Sequence, residues 1–384
     1  MAEVLDIGVC PEVSLAELLR SDEPVVRAVL ERGGQVDPVR PMLWPCPSND
    51  IVSAHEWSGS APDVELFAVR DARVGGGGAH AEKDGALVFA EGVYPSYVRH
   101  YIETGLNAEH WRIEAEPVRH VDTAFVINHF NLIYGHWLTE ILPKLFTIRR
   151  LAKLGVRAPI LFGLNTPAYM LNIAAALLPQ HEQLVFDPQR ERVAVSRLLL
   201  PSMLQRNYWF HPILSAELDA LAARQPKQRR PERALFVSRT GMPESYRRLG
   251  NVAAVERTAR KLGLAIIQPE QMPWFDQVRT FADARLIAGE FGSGMHNAIF
   301  SPAGAKVVAL NWIVEVQSRI ANHRRQDVGY ILPTDGRPRR HSPDGEDAEP
   351  VFEIDPDEFA GRMEPLLAEL ARSRRGLRER LLGW

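Results

Sequence analysis

The sequence predicts an α/β protein of two domains, with a doubly wound parallel sheet in its C-terminal half. Three observations predict it. The chain has 384 residues, more than one ordinary hydrophobic core accommodates. From residue 234 onward, short apolar runs alternate with helical stretches across short loops, the pattern of a parallel sheet with crossover helices. Between the halves lies Arg224 to Arg233, polar, basic and holding two prolines, which reads as a linker. The expected division is 1–225, 226–335 and a C-terminal helical segment 351–384, with 1–60 as an irregular arm.

The arm is irregular because Arg40-Pro41-Met42-Leu43-Trp44-Pro45-Cys46-Pro47 cannot be a helix interior. Strand candidates Val64 to Val69 and Ala86 to Ala90 flank a glycine turn, Gly75 to Gly78. Val121 to Asn128 is β-rich and apolar, a buried strand. A helix is predicted from Gly135 to Leu154, since Trp137, Ile141, Leu145 and Ile148 recur at helical spacing. Pro143 within it implies a kink or a delayed start. Pro159 to Gly163 and Val193 to Pro201 read as strands, with a helix over Ala168 to Leu178. Beyond the linker, strands are expected at Ala234–Ser238, Leu264–Ile267, Arg285–Ala288 and Ala305–Leu310. Helices are expected at Val252–Leu262 and Trp274–Ala282, with a helix start at Gly294–Phe300. Residues 334–350 form a loop, and Asp357 to Leu382 is a charged amphipathic helix.

Composition bounds the function. Hydrophobic residues make up 46% and charged residues 24%, a globular balance, and a net charge of −3 argues against a nucleic-acid binder. The two cysteines, Cys10 and Cys46, form no C-x-x-C pair, which excludes a disulfide scaffold and a thiolate metal site and favours a reducing compartment. No apolar run of about 18 residues exists to cross a membrane. The start carries acids and no basic residue, unlike a signal peptide. The expected location is the cytoplasm, with any membrane-bound material reached as a peripheral protein.

Three stretches can carry chemistry. Gly289-Glu290-Phe291-Gly292-Ser293-Gly294-Met295-His296-Asn297 follows a strand and opens a helix, where ligands of such sheets bind. Its glycines let backbone approach a phosphate, and a helix start offers N–H groups. The spacing is neither the dinucleotide fingerprint nor a P-loop, and a well-packed glycine turn explains it equally. The second stretch is Ser238-Arg239-Thr240, followed by Arg247, Arg248 and Asn251. Arginine forks suit phosphate oxygens, and the alternative is a solvated basic loop. Both stretches belong to one α/β unit and converge on one sheet edge. The third stretch holds His136 and Glu140, four apart on a helix face, either an acid–base pair or a satisfied core histidine. Asp355-Pro356-Asp357 precedes a helix and reads as a cap rather than a metal motif.

These motifs together resemble the family 61 glycosyltransferases, whose bacterial relatives are often called capsular polysaccharide biosynthesis proteins. The resemblance rests on an ordered set. Tyr134-Gly135-His136-Trp137-Leu138-Thr139-Glu140-Ile141-Leu142-Pro143-Lys144-Leu145 is similar to the family's aromatic-x-H-W-L-x-E-x-L-P-[RK]-L. Leu235 to Arg239, then Arg247, Arg248 and Asn251, resemble its strand-S-R and R-R-x-x-N. Gln277 precedes Ala282 as in its E-Q stretch, and Gly289 to Asn297 with Pro302 and Gly304 resemble G-x-H-G-A-G-L-T-N and F-x-P-G. Phe291 stands where the family has histidine, His296 where it has threonine, and Asp276 where it has glutamate. The resemblance covers about residues 120–312.

The resemblance implies a GT-B-like architecture, two Rossmann-like domains facing a cleft, with the C-terminal helix packed back on the N-terminal domain. It implies inverting transfer from a nucleotide-diphosphate sugar, typically UDP-linked, with no obligatory metal or other cofactor. The acceptor would be a glycan or lipid-linked glycan, and peripheral membrane association and a homodimer are compatible with it. In this reading His136 and Glu140 are catalytic. Ser238, Arg239, Arg247, Arg248, Asn251, Gly292, Ser293, Gly294, Met295, His296 and Asn297 hold the donor. Two rivals are a non-catalytic nucleotide- or glycan-binding protein, supported by Phe291, and a nicotinamide-dependent oxidoreductase, opposed by Leu310-Asn311-Trp312 where an acidic residue would stand.

Overall fold

A computed structural model describes residues 3–106, 117–127, 133–226, 233–242, 249–339 and 351–381. The chain forms two compact units. Residues 1–36 and 59–214 make the first, and 37–58 and 215–384 the second. The boundary thus falls before the predicted linker, and the N-terminal stretch is shared between units.

The second unit is a five-stranded, wholly parallel sheet. Its strands are Ala234–Val237, Ala265–Ile267, Leu286–Glu290, Lys306–Leu310 and Asp327–Ile331. In spatial order they run second, first, third, fourth, fifth, the doubly wound order with a reversal between first and third. The strands form because their runs are mostly apolar, with charged residues only at strand ends, as a parallel sheet covered on both faces requires. Ala234–Val237 and Leu286–Glu290 are buried along their whole length. Between them Gly289 faces Val237, and a Cβ at Gly289 would sit 2.4 Å from the Val237 carbonyl oxygen. Only glycine allows this approach. Helix Val252–Lys261 ends on Gly263, at φ +84°, with the Leu264 amide bonded back to the Ala259 carbonyl.

Two parts of this unit depart from the sequence reading. The proline-rich stretch lies along the edge strand Asp327–Ile331. Leu43 donates its amide to the Val328 carbonyl, Trp44 its indole N–H to the Tyr330 carbonyl, and Arg40 pairs with Asp327. Covering an edge strand satisfies backbone groups that would otherwise invite another chain. The C-terminal helix Pro356–Leu381 also belongs here rather than on the N-terminal domain. Phe359 and Met363 are fully buried in the core of this unit, and the Phe359 ring meets Phe236 edge-on at 5.8 Å. Its apolar stripe fits the helix-covered face of its own sheet.

The first unit holds a nine-stranded sheet. One part is parallel: Arg192–Pro201, Pro117–Val126, Ile160–Gly163 and Gln183–Phe186. Onto it Val64–Gly75 adds antiparallel, followed by further strands. The sheet is therefore mixed, and only its parallel part is Rossmann-like. Val4–Asp6 and Val25–Glu31, in the stretch expected to be irregular, pair with Ala86–Phe89 and Val64–Gly75. Their partners lie far along the chain, so no local pattern revealed them. Among the described residues no helix is long and apolar enough to cross a membrane.

Burial of Phe359 makes a prediction. Phe359→Ala is expected to cost about 3–5 kcal/mol, read as a lowered urea midpoint for the second unit. A midpoint unchanged from wild type would show that the helix is not part of this core.

Candidate functional site

The order reversal in the second unit places a crevice at the carboxyl ends of Ala234–Val237 and Leu286–Glu290. Ser238, Arg239 and Thr240 leave the first strand there, and Phe291 to Gly294 leave the second. The two stretches meet. Arg239 Nη1 donates to the Phe291 carbonyl at 3.3 Å, and its backbone N–H donates to Glu290 Oε1 at 3.3 Å. A Cβ on Gly292 would lie 3.1 Å from Arg239 Nη1, so the guanidinium lies directly against this glycine. Glu290 is buried. Burial pushes its carboxyl up, and Arg239 offsets this in part. Ser238 is buried and shares a hydrogen bond with Thr240 at 2.9 Å, and Gln268 donates to Thr240 at 2.6 Å. An open cleft of about 520 Å³ lies beside Thr240 and Gln268.

The glycine loop differs in one chemical respect from the sequence reading. Met295–Phe300 is a 3-10 helix of six residues rather than an α-helix. The amides of Met295, His296 and Asn297 donate to the carbonyls of Gly292, Ser293 and Gly294. They are spent within the turn, so Met295 and His296 offer no backbone N–H to a phosphate. The amides of Gly292, Ser293 and Gly294 make no hydrogen bond among the described residues, and these three form the available cradle. Asn297 is buried and donates to Gln277 Oε1 at 3.0 Å and to the Gly294 carbonyl at 3.2 Å. It staples the loop to helix Trp274–Asp283. His296 and Phe291 are both buried and stack edge-to-face at 5.9 Å.

Asn251 is placed elsewhere. Its side chain donates to the Ile354 carbonyl at 2.8 Å and accepts from the Ile354 amide at 3.3 Å, clipping the segment before the C-terminal helix. That assigns it to the fold rather than to a ligand. Arg247 and Arg248 lie outside the described residues, as does Asn128 to Asn131. Asp355 accepts from the Asp357 amide at 2.9 Å, as a helix cap does.

In the first unit, strand Pro117–Val126 leads to the helix that carries His136 and Glu140. This helix is not uniform. Tyr134–His136 is α-helical, Trp137–Ile141 is a π-turn, and Leu142–Lys153 is α-helical again. Pro143 has no N–H for the Thr139 carbonyl, and the Leu142 amide reaches back to Trp137 instead, an i to i−5 bond. The wider turn carries Glu140, and His136 closes the α-helical turn just before it. His136 Nδ1 lies 2.8 Å from Glu140 Oε1. The Glu140 side chain is 2% exposed and that of His136 is 28% exposed, so the carboxylate is internal and the imidazole faces out. Tyr97 Oη lies 3.4 Å from both His136 Nδ1 and Glu140 Oε2.

One turn further on, Lys144 is buried, its ammonium donating to the carbonyls of Val93 at 2.7 Å and Ile127 at 3.3 Å. Burial pulls it down to about 7, against the pull of the Glu140 charge. Burial also pulls the His136 imidazole down. The hydrogen bond and charge of Glu140 outweigh that, and the net shift is upward. Sequence reasoning gave Tyr97 and Lys144 no role. Lys144 follows Glu140 at helical spacing, a signal that was present, whereas Tyr97 sits on another helix.

With Nδ1–H directed at Glu140, Nε2 is left to accept a proton. The first site can therefore move a proton, and the second can hold an anion. Both lie within residues 134–308, which match the family model for Glycosyltransferase 61. The chain carries a family 61 glycosyltransferase region. The matched region opens on Tyr134, the first residue of the helix with the acid–base pair, and closes within strand Lys306–Leu310. It takes in the whole glycine loop. Members of such a family transfer sugars between a donor and an acceptor. Among proteins of curated function none matches the chain.

The coupling between His136 and Glu140 is testable by pH. A raised pKa in the folded state means that the pair stabilises fully below the ordinary histidine value of about 6.5. The stabilisation fades as pH rises through the raised value. Glu140→Gln is expected to lower the His136 pKa, followed by NMR titration of the ring protons, and to remove that pH dependence. An unmoved His136 titration would show that Glu140 does not set it.

Proposed function

We propose that the chain is an inverting glycosyltransferase that moves a sugar from a nucleotide-diphosphate sugar, UDP-linked, to a glycan or surface-polysaccharide acceptor. The observation that carries this reading is the convergence of Arg239 with the amides of Gly292, Ser293 and Gly294 at the reversal point of the sheet. Such a cluster suits a diphosphate, whose charge grows as it leaves. Glu290 accepts the Arg239 backbone N–H and trims the positive field, while the Phe291 carbonyl holds the guanidinium against the loop.

In the transfer, an acceptor hydroxyl oxygen bonds to the anomeric carbon of the donor while the bond from that carbon to the diphosphate oxygen breaks. His136 Nε2 takes the hydroxyl proton, and the diphosphate departs with the electron pair toward Arg239 and the three amides. Attack opposite the leaving group inverts the anomeric carbon. Glu140 fixes the imidazole tautomer and stabilises its protonated form, the positioning role of a buried carboxylate behind a base. In this reading the two units supply the two halves of a GT-B-type enzyme. The leaving group needs no metal or cofactor beyond what these residues provide. The enzyme works in the cytoplasm, at the membrane face when the acceptor is lipid-linked.

Phe291, buried where the resemblance expects histidine, favours a second reading in which nucleotide or glycan is bound without turnover. One set of measurements separates the two. UDP at 100 times its dissociation constant is expected to stabilise the protein by about 2.7 kcal/mol, seen as a thermal shift that Arg239→Ala abolishes. His136→Gln is expected to keep that shift and to lower kcat by roughly 10²–10⁴-fold with a UDP-sugar and an accepted glycan. A UDP shift without turnover in wild type supports the binding protein. No shift from any nucleoside diphosphate removes the donor reading.

A further inference from the structure

The second unit has another concave surface, outside the matched region. It is a cleft of about 870 Å³ formed by helix Asn49–Glu56, the residues after it, and the turn beyond strand Lys306–Leu310. Its volume is that of a small-molecule pocket, roughly 300–1,000 Å³. Trp57 and Trp312 line it together with Asp50, Glu56 and Glu315.

Trp57 is 43% exposed, yet it is held firmly. The guanidinium carbon of Arg319 lies over its ring, 5.4 Å from the centroid. Arg319 is itself buried and donates to the carbonyls of Trp57, at 3.0 Å, and of Ala54. The arginine thus takes one face of the indole and fixes its backbone, and much of the ring stays open to the cleft. An aromatic plane immobilised before binding loses little freedom when a ligand stacks on it.

The carboxylates define the ligand further. Among the described residues Glu56 and Glu315 form no ion pair, so their oxygens remain acceptors. These two glutamates repel a diphosphate and accept hydrogen bonds from hydroxyl groups. An apolar plane beside several carboxylate acceptors matches a sugar ring, which presents C–H groups on its face and hydroxyls at its rim. The place fits as well. The Phe291 amide donates to the Leu310 carbonyl at 3.0 Å, so Trp312 leaves the strand next to the glycine loop, at the same sheet edge.

We propose that the Trp57–Trp312 cleft is a carbohydrate subsite that holds a sugar ring of the acceptor glycan. The ligand class rests on the transferase reading, whereas the site rests on its own residues.

The full-length protein would be applied to a printed array of bacterial and plant oligosaccharides, and a bound oligosaccharide titrated by tryptophan fluorescence. The UDP thermal shift is measured in parallel. Trp57→Ala is expected to weaken glycan binding at least about tenfold and Trp57→Phe less, with the UDP shift kept in both. Should Trp57→Ala melt well below wild type, Glu315→Gln carries the test, with an expected loss of at least about threefold. Glycan affinity unchanged in these variants overturns the subsite. Failure of a UDP-responsive wild type to bind any array glycan also overturns it. Glycan binding that depends on Trp57 in a protein indifferent to UDP supports the cleft and removes the donor reading instead.

Discussion

The parallel pairing of Ala234–Val237 with Leu286–Glu290 is the contact on which the second unit depends. It brings two stretches about 50 residues apart to one sheet edge. The pairing is close because Gly289 has no side chain where the Val237 carbonyl passes. A methyl group there would push the strands apart, and the loops beyond them would part as well. Arg239 could then no longer lie on Gly292. A backbone constraint in the buried sheet thus sets the position of a charged side chain at its edge.

In the first unit the corresponding constraint is proline. Pro143 removes one helix hydrogen bond, and a π-turn holds Glu140 directly after His136. The same helix then buries Lys144 against two carbonyls. A charge sunk in the fold is costly unless partnered. Here the partners are backbone oxygens and the field of Glu140, so the lysine, the glutamate and the histidine form one electrical series running from core to surface.

Much of this was legible in the sequence where burial alone decides structure. Strands covered on both faces are mostly apolar, and those of the second unit up to Leu310 appear within about two residues of their predicted bounds. The His136–Glu140 spacing and the glycine loop were legible because each is local. What was not legible depends on distant partners or on small differences of turn. Val25–Glu31 finds its strand partner only in Val64–Gly75. Asn251 resembles a ligand-binding residue until Ile354, 103 positions away, occupies its amide. Asp327–Ile331 carries Gly329 within it, which weakens its strand pattern, and Trp44 fills the space. The choice of 3-10 over α-helix after Gly294 moved the available amides from Met295 and His296 back to Gly292–Gly294. Sequence periodicity over six residues does not distinguish those two turns.

Residues 37–58 belong to the second unit although the chain enters the first unit before them and again after them. On a ribosome these residues emerge early, while the sheet they complete is not made until the last third of the chain is synthesised. The cover for the Asp327–Ile331 edge, and Trp57 with its clamp Arg319, must therefore wait through the folding of everything between. A fragment beginning at residue 215 would expose that edge and lack one wall of the tryptophan cleft. The second unit is continuous in space but not in sequence, and it matures last even though part of it is born first.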